Sequence, residues 1–170
     1  MEGSFEEFVT AWGGRLLRTA VLLTGDRAEA EDLLQDVLER LYPRWRTVQD
    51  PPAYVRTAMS RAVTDRWRWR SRRPRQVPLA DHHDVAVGDG SVHRAQREDL
   101  LAHLRRLPPR QRAVIVLRYY EDWSEERIAE ELDVSRGTVK SQASKGLARL
   151  RELVEEREES GQRREGEMSR

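Results

Sequence analysis

A chain of 170 residues accommodates one medium domain or two small ones, and with 38% apolar against 36% charged residues any core must be modest. That balance, with a mean hydropathy of −0.82, suits small helical units and disfavours a large enclosed pocket. The net charge of +1 conceals strong local segregation, and the absence of cysteine excludes disulfides and thiolate zinc sites. No apolar run approaches the roughly 18–20 residues that span a bilayer, and the N-terminus lacks a basic-then-apolar signal; the expectation is a cytoplasmic protein without membrane insertion.

Phe5, Phe8, Val9, Trp12, Leu16, Ala20 and Leu23 mark a first amphipathic helix, stopped at Thr24-Gly25 where glycine adopts the left-handed conformation. Asp26 and Glu29 form an Asp-x-x-Glu variant of the capping box. The second helix carries Ala30, Leu33, Leu34, Val37, Leu38 and Leu41 on one face. At 100° per residue, Asp32, Gln35, Asp36 and Glu39 gather on the opposite one. Pro43 ends it, and Asp50-Pro51 supplies an N-cap and N1 pair for a third helix to about Arg70.

In that helix Tyr54, Val55, Ala58, Met59 and Ala62 share a face, while Arg56, Ser60, Arg61, Thr64, Trp67 and Arg68 lie on the other side. Ala53 to Arg75 holds eight arginines against Asp65 alone, with Trp67 and Trp69 interleaved. Such a surface tracks a phosphate backbone and can stack on unpaired bases. Residues 1–73 are thus expected to form a small three- or four-helix bundle. From residue 74 to 93 the periodicity breaks, which predicts a flexible linker averaging about 25 Å and reaching about 65 Å. The two lobes are expected to be tethered rather than fused.

The second lobe, 94–155, opens with Leu100, Leu101, Leu104 and Leu107. A helix after Pro108-Pro109 carries Ala113, Val114, Val116, Leu117 and Tyr120. Ser124 caps a short helix with Ile128, Ala129 and Leu132, Asp133-Val134 turns the chain, and Ser135 caps a helix with Val139, Ala143, Leu147 and Leu150. This is helix-turn-helix spacing, in which the second helix enters a major groove. Residues 121–133 hold seven acids against Arg127, whereas 135–151 hold Arg136, Lys140, Lys145, Arg149 and Arg151 and no acid. Arg136, Thr138, Lys140, Ser141, Ser144 and Lys145 point away from the apolar stripe. They are the candidate DNA-reading residues, and sequence does not divide phosphate from base contacts among them. The polar tail 156–170 is expected to be disordered.

No constellation supports catalysis, a metal or a cofactor. His82-His83 lack a further ligand at metal spacing, and no phosphate-cradling glycine loop is present.

The stretch from Leu22 to Val37, with Ala30-Glu31-Asp32-Leu33-Leu34-Gln35-Asp36-Val37 at its end, resembles the core-binding segment of bacterial extracytoplasmic-function (ECF) sigma factors of the sigma-70 superfamily. Residues 53–68 are similar to that family's promoter-melting helix. The stretches from Leu107-Pro108-Pro109-Arg110-Gln111-Arg112 through Ser124 and from Val139 to Leu147 resemble its −35-reading domain. The combination looks most like the actinobacterial sigma-E-like subfamily, over roughly residues 5–155.

The resemblance implies an all-α chain of a region 2-like and a region 4-like domain, acting as a dissociable initiation subunit of RNA polymerase. By carry-over Asp32, Leu33, Gln35, Asp36 and Glu39 would face the β′ clamp helices, although Leu33 also falls on the apolar stripe. Arg46, Arg56, Ser60, Arg61, Thr64, Trp67 and Arg68 would engage the −10 element and its opened strand. The helix from Ser135 would enter the −35 groove, and the second lobe would also contact the β flap. Promoter DNA and core polymerase are the implied partners, an anti-sigma factor an allowed one. The competing reading is a one-component helix-turn-helix regulator with the first lobe as dimeriser or sensor.

Overall fold

In the computed structural model, the backbone of residues 3–70 and 91–168 and the side chains of 3–65 and 98–157 are described. The linker predicted at 74–93, with His82 and His83, lies outside the described residues up to position 90. Among those described, every regular element is helical, in the order α1 Phe5–Thr24, α2 Arg27–Leu41, α3 Pro51–Arg70, α4 Ser91–Arg105, α5 Pro109–Ile115, α6 Glu125–Leu132 and α7 Arg136–Met168. A 3-10 turn, Tyr42–Arg44, follows α2, and a π turn, Val116–Tyr120, follows α5.

The expected boundary chemistry is present. Gly25 ends α1 at φ 81°, and Asp26 accepts the Glu29 N–H at the start of α2. The Asp50 carboxylate accepts the Ala53 N–H at the start of α3. At α1 the box is complete, since Ser4 accepts the Glu7 N–H while the Glu7 carboxylate accepts that of Ser4. The helices extend further than expected at two ends: α4 starts at Ser91, and α7 continues to Met168. Its glutamates, arginines and glutamine are good helix formers, and no proline interrupts them.

α1, α2 and α3 enclose a first core of Leu16, Ala20, Leu23, Leu33, Leu34, Val37, Leu41, Val55 and Met59. Leu117, Trp123, Ile128, Ala129 and Val139 make a second, with Leu104, Leu107 and Ile115 beside it. These cores are not separate bodies. Ala113 and Val116 of the second lobe pack into the first cluster, and Ala53 of α3 packs into the second. In this structure the lobes lie against one another, and the predicted linker between them falls largely outside the described residues. Sequence periodicity could not disclose this, because Ala113 and Val116 fit their own helix's stripe equally well and Ala53 stands among the polar residues of α3.

The π turn sets the contact. The Glu121 N–H donates to the Val116 carbonyl, five residues back, so the helix widens before it ends. A continuous α-helix would bring Tyr120 onto the face of Ala113 and Val116. Instead Tyr119 and Tyr120 are exposed and Glu121 turns inward. Leu100 is likewise exposed, while Leu104 and Leu107 carry the α4 contact.

Candidate functional site

Three surfaces carry the candidate residues. On α2, Asp32, Gln35, Asp36 and Glu39 are all exposed, with the Gln35 amide donating to Glu39 across 3.1 Å. Leu33 is not with them. At 1% exposure it belongs to the first core, so its assignment to a polymerase-facing surface is corrected. Beside the acidic face runs an open groove of about 640 Å³ floored by Phe5, Val9, Leu17, Leu34, Leu38 and Tyr42 and edged by Glu31, Gln35 and Glu39. Sequence reasoning missed this groove because Phe5, Val9, Leu34 and Leu38 read as core. Gly13 and Gly14 in its wall, where side chains are missing, were the available signal.

On α7, Ser135 caps the helix by accepting the Thr138 N–H. Arg136, Lys140, Ser141, Ser144 and Lys145 are exposed, and Thr138 is half-buried with its hydroxyl against that of Ser135. Val139 lies in the core beneath them. Acids of α6 hold the first cations: Arg136 stands 2.6 Å from Glu126, and Lys140 stands 3.9 Å from Glu125. Glu126's carboxyl is held below its ordinary range, first by a backbone N–H at the start of α6, then by Arg136 and the Ser124 hydroxyl. The turn is tight, with Asp133 left-handed at φ 53° and the Val134 N–H donating to Ala129.

The α3 residues divide. Arg46, on the preceding loop, is exposed. Arg56 and Ser60 are buried, and Arg61 is exposed but donates from Nε to the Glu131 carbonyl at 2.6 Å. Thr64 is half-buried and donates to the Arg61 carbonyl. The side chains of Trp67 and Arg68 lie outside the described residues. The expectation that Arg56 and Ser60 face outward is thus corrected for this arrangement: both are buried, Arg56 against Glu121 of the second lobe. Arg61 and Thr64 of α3 and Thr138 of α7 line one cleft of about 270 Å³ between the lobes, bringing edges of both candidate DNA surfaces together.

The covering contact centres on Glu121, whose side chain is 1% exposed. Its Oε2 lies 2.7 Å from Arg56 Nε and 3.5 Å from Arg15, and Thr19 donates its hydroxyl to the other oxygen. Trp12 lies against both guanidinium groups, 5.5 Å from that of Arg56 and 5.7 Å from that of Arg15. Burial lowers the pKa of Arg56, while Glu121 opposes that shift. Among the described residues no group of three or more His, Asp or Glu side chains could hold a metal, and no helix is long and apolar enough to cross a membrane.

Two family models match the chain: Sigma-70 region 2 over residues 8–73 and Sigma-70, region 4, over residues 97–150. The RNA polymerase sigma-E factor of Streptomyces avermitilis is 42% identical over 157 residues, covering 91% of this chain and 87% of that one. The chain belongs to the sigma-70 family, as an RNA polymerase sigma factor of the ECF class. The ECF RNA polymerase sigma factor SigL of Mycobacterium tuberculosis is 32% identical, covering 83% of each chain. In fold the chain is similar to the sigma factor RpoE, solved in complex with the anti-sigma factor NepR from Bartonella quintana. That match has a TM-score of 0.68 at 23% identity and covers 89% of this chain and 96% of that one. Matches to both regions in one chain support the sigma reading over the one-component regulator. A sigma factor works with core RNA polymerase and promoter DNA, and those are this chain's partners.

Proposed function

We propose that this sigma factor divides its work among the three surfaces. The acidic face of α2, Asp32, Gln35, Asp36 and Glu39, docks on the β′ clamp helices. The adjoining apolar groove gives that contact a desolvated component, since charge complementarity alone favours encounter rate and specificity over affinity. The exposed start of α7 enters the −35 major groove, with Arg136, Lys140 and Lys145 on phosphates or base edges. Arg46 and the face of α3 that bears Arg56, Ser60, Arg61, Thr64, Trp67 and Arg68 engage the −10 element and its opened strand, and the second lobe also meets the β flap.

The observation that carries this assignment is charge placed by secondary structure: the outward face of α7 from 136 to 145 bears no acid, while that of α2 bears acids and glutamine. A duplex turn is about 34–36 Å, so elements more than a turn apart require two readers on a tether. Unstacking costs a few kcal/mol per step, offset by captured bases and polymerase contacts. No chemical turnover is assigned to the chain, which acts in the cytoplasm where its polymerase is. An anti-sigma factor is a partner that both the acidic face and the groove can accept.

Transcription with core polymerase on a library of promoter fragments tests the reading. The wild type should yield promoter-specific transcripts. Asp32→Lys with Asp36→Lys should reduce core binding by tenfold or more while helical content holds, the loss expected of about 1.4 kcal/mol. Undiminished core affinity in that variant removes α2 from the interface.

A further inference from the structure

We propose that Glu126 is a positioning residue for the −35 reader: without touching DNA itself, it fixes the guanidinium of Arg136 and so sharpens sequence discrimination. The inference rests on the assignment of α7 to the −35 groove. Residues 135–151 hold no acid, yet the fold brings two carboxylates of α6 to that stretch. Glu126 Oε1 lies 2.6 Å from Arg136 Nη2, whereas Glu125 Oε2 stands 3.9 Å from Lys140 Nζ. The arginine is the cation that is held.

Both members of this pair are tied to fixed backbone. Glu126 lies in the first turn of α6, where a backbone N–H and the Ser124 hydroxyl bind its carboxylate. Arg136 opens α7 directly after Ser135, whose hydroxyl accepts the Thr138 N–H. A free arginine loses rotamer freedom when it binds, and this one has lost part of it on folding. The contact uses one guanidinium nitrogen. Among the described residues the guanidinium has no second partner, and the side chain is 58% exposed, so its remaining donors face solvent.

A carboxylate beside a DNA-reading arginine acts in one of two ways, and they have opposite consequences. If Arg136 had to leave Glu126 to reach the promoter, the specific complex would bear the whole cost of breaking the pair. A non-specific complex, free to keep the pair, would lose no more than that, so removing Glu126 would raise discrimination. A carboxylate that stays with Arg136 in the groove does the reverse. It keeps the guanidinium from swinging to phosphates, which carry no sequence information, and presents the free donors to one base edge. Arg136 already stands in the first turn of α7, the part of a reading helix that meets base edges, so no departure from Glu126 is required.

Holoenzyme transcribing promoter fragments with randomised −35 positions, its transcripts sequenced, reads discrimination base by base. Glu126→Gln should flatten the preference by roughly fivefold at the base pairs that Arg136→Ala also flattens, and leave the others intact. On a scrambled duplex at low salt, the full chain carrying Glu126→Gln should bind more tightly than wild type. Its salt slope should steepen by about 1 as the freed guanidinium takes a phosphate. In an Arg136→Ala background Glu126→Gln should change neither reading. Glu130→Gln removes an exposed charge of the same helix that makes no ion pair among the described residues, and should leave the −35 preference unchanged. A preference that Glu126→Gln leaves intact or sharpens overturns the positioning role, as does an equal loss in Glu130→Gln or one spread over every −35 position. If Glu126→Gln loses helical content, Glu126→Ala replaces it, with the same results decisive. A wild-type holoenzyme with no −35 preference at all would refute α7 as the reading helix, and the role of Glu126 with it.

Discussion

Arg112 lies beneath α4 with its guanidinium buried, one nitrogen 3.4 Å from the Leu104 carbonyl and Nε without a partner. Burial lowers its pKa to about 10, a shift that Glu29 opposes and Arg105 reinforces. The folded state therefore holds this proton less tightly than the unfolded chain, and a charged Arg112 costs stability, about 3 kcal/mol at neutral pH. That cost persists below pH 10 and is relieved as pH rises through 10 toward the higher value of the unfolded chain. Arg112→Met keeps the volume and removes the charge, so it should raise the urea midpoint at pH 7, and its advantage over wild type should shrink above pH 10. A midpoint that falls at pH 7 would mean that the Leu104 contact outweighs desolvation. At the DNA surface, Arg136→Ala and Lys140→Ala should each weaken duplex promoter binding and lower the salt slope by about 1 if they hold phosphates. Their partners are an exposed Glu126 and a half-buried Glu125, and solvent-screened pairs contribute little, so the thermal midpoint should barely move.

At the scale of elements, α5 and α7 pack so closely that Gly146 is needed between them. A Cβ at that position would meet Ile115 Cγ1 at 2.9 Å, closer than side chains tolerate. Gly146→Ala gains about 1 kcal/mol of helix propensity but overpacks a β-branched neighbour, at about 1–3 kcal/mol. The net expectation is a lower urea midpoint and, with α7 as the proposed reading helix, a weakened −35 contact; a raised midpoint would show that Ile115 can move aside. Much of this architecture is legible in sequence because caps and stripes agree locally: Gly25, Asp26, Asp50, Ser124 and Ser135 all terminate helices where their chemistry predicts. The π turn was not legible. Its extra residue per turn leaves no mark in composition, yet it decides that Tyr120 faces water and Glu121 does not. The exposure of the candidates on α2 and α7 followed from period and charge, while Leu33, Arg56 and Ser60 are buried. Leu33 carried two signals at once, and Arg56 is a polar residue covered by a distant part of the chain.

For the whole molecule, the contacts between lobes decide whether the chain unfolds as one unit. Ala113 and Val116 complete the first core, Ala53 completes the second, and Glu121 lies between them. A buried valine alone contributes about 1.5–3 kcal/mol relative to exposure. Domains of 60–100 residues lose about 4–8 °C of thermal midpoint for each kcal/mol. A fragment of residues 1–73, which lacks Val116, should therefore melt at least about 5 °C below the transition of the same segment in the full chain. Scanning calorimetry of the intact protein should give one transition whose calorimetric and van't Hoff enthalpies agree. Glu121→Gln should split or broaden that transition, because each lobe then unfolds with less support from the other. If the intact chain instead shows two transitions at the midpoints of the isolated lobes, the shared packing contributes nothing and the lobes behave as independent units on a tether.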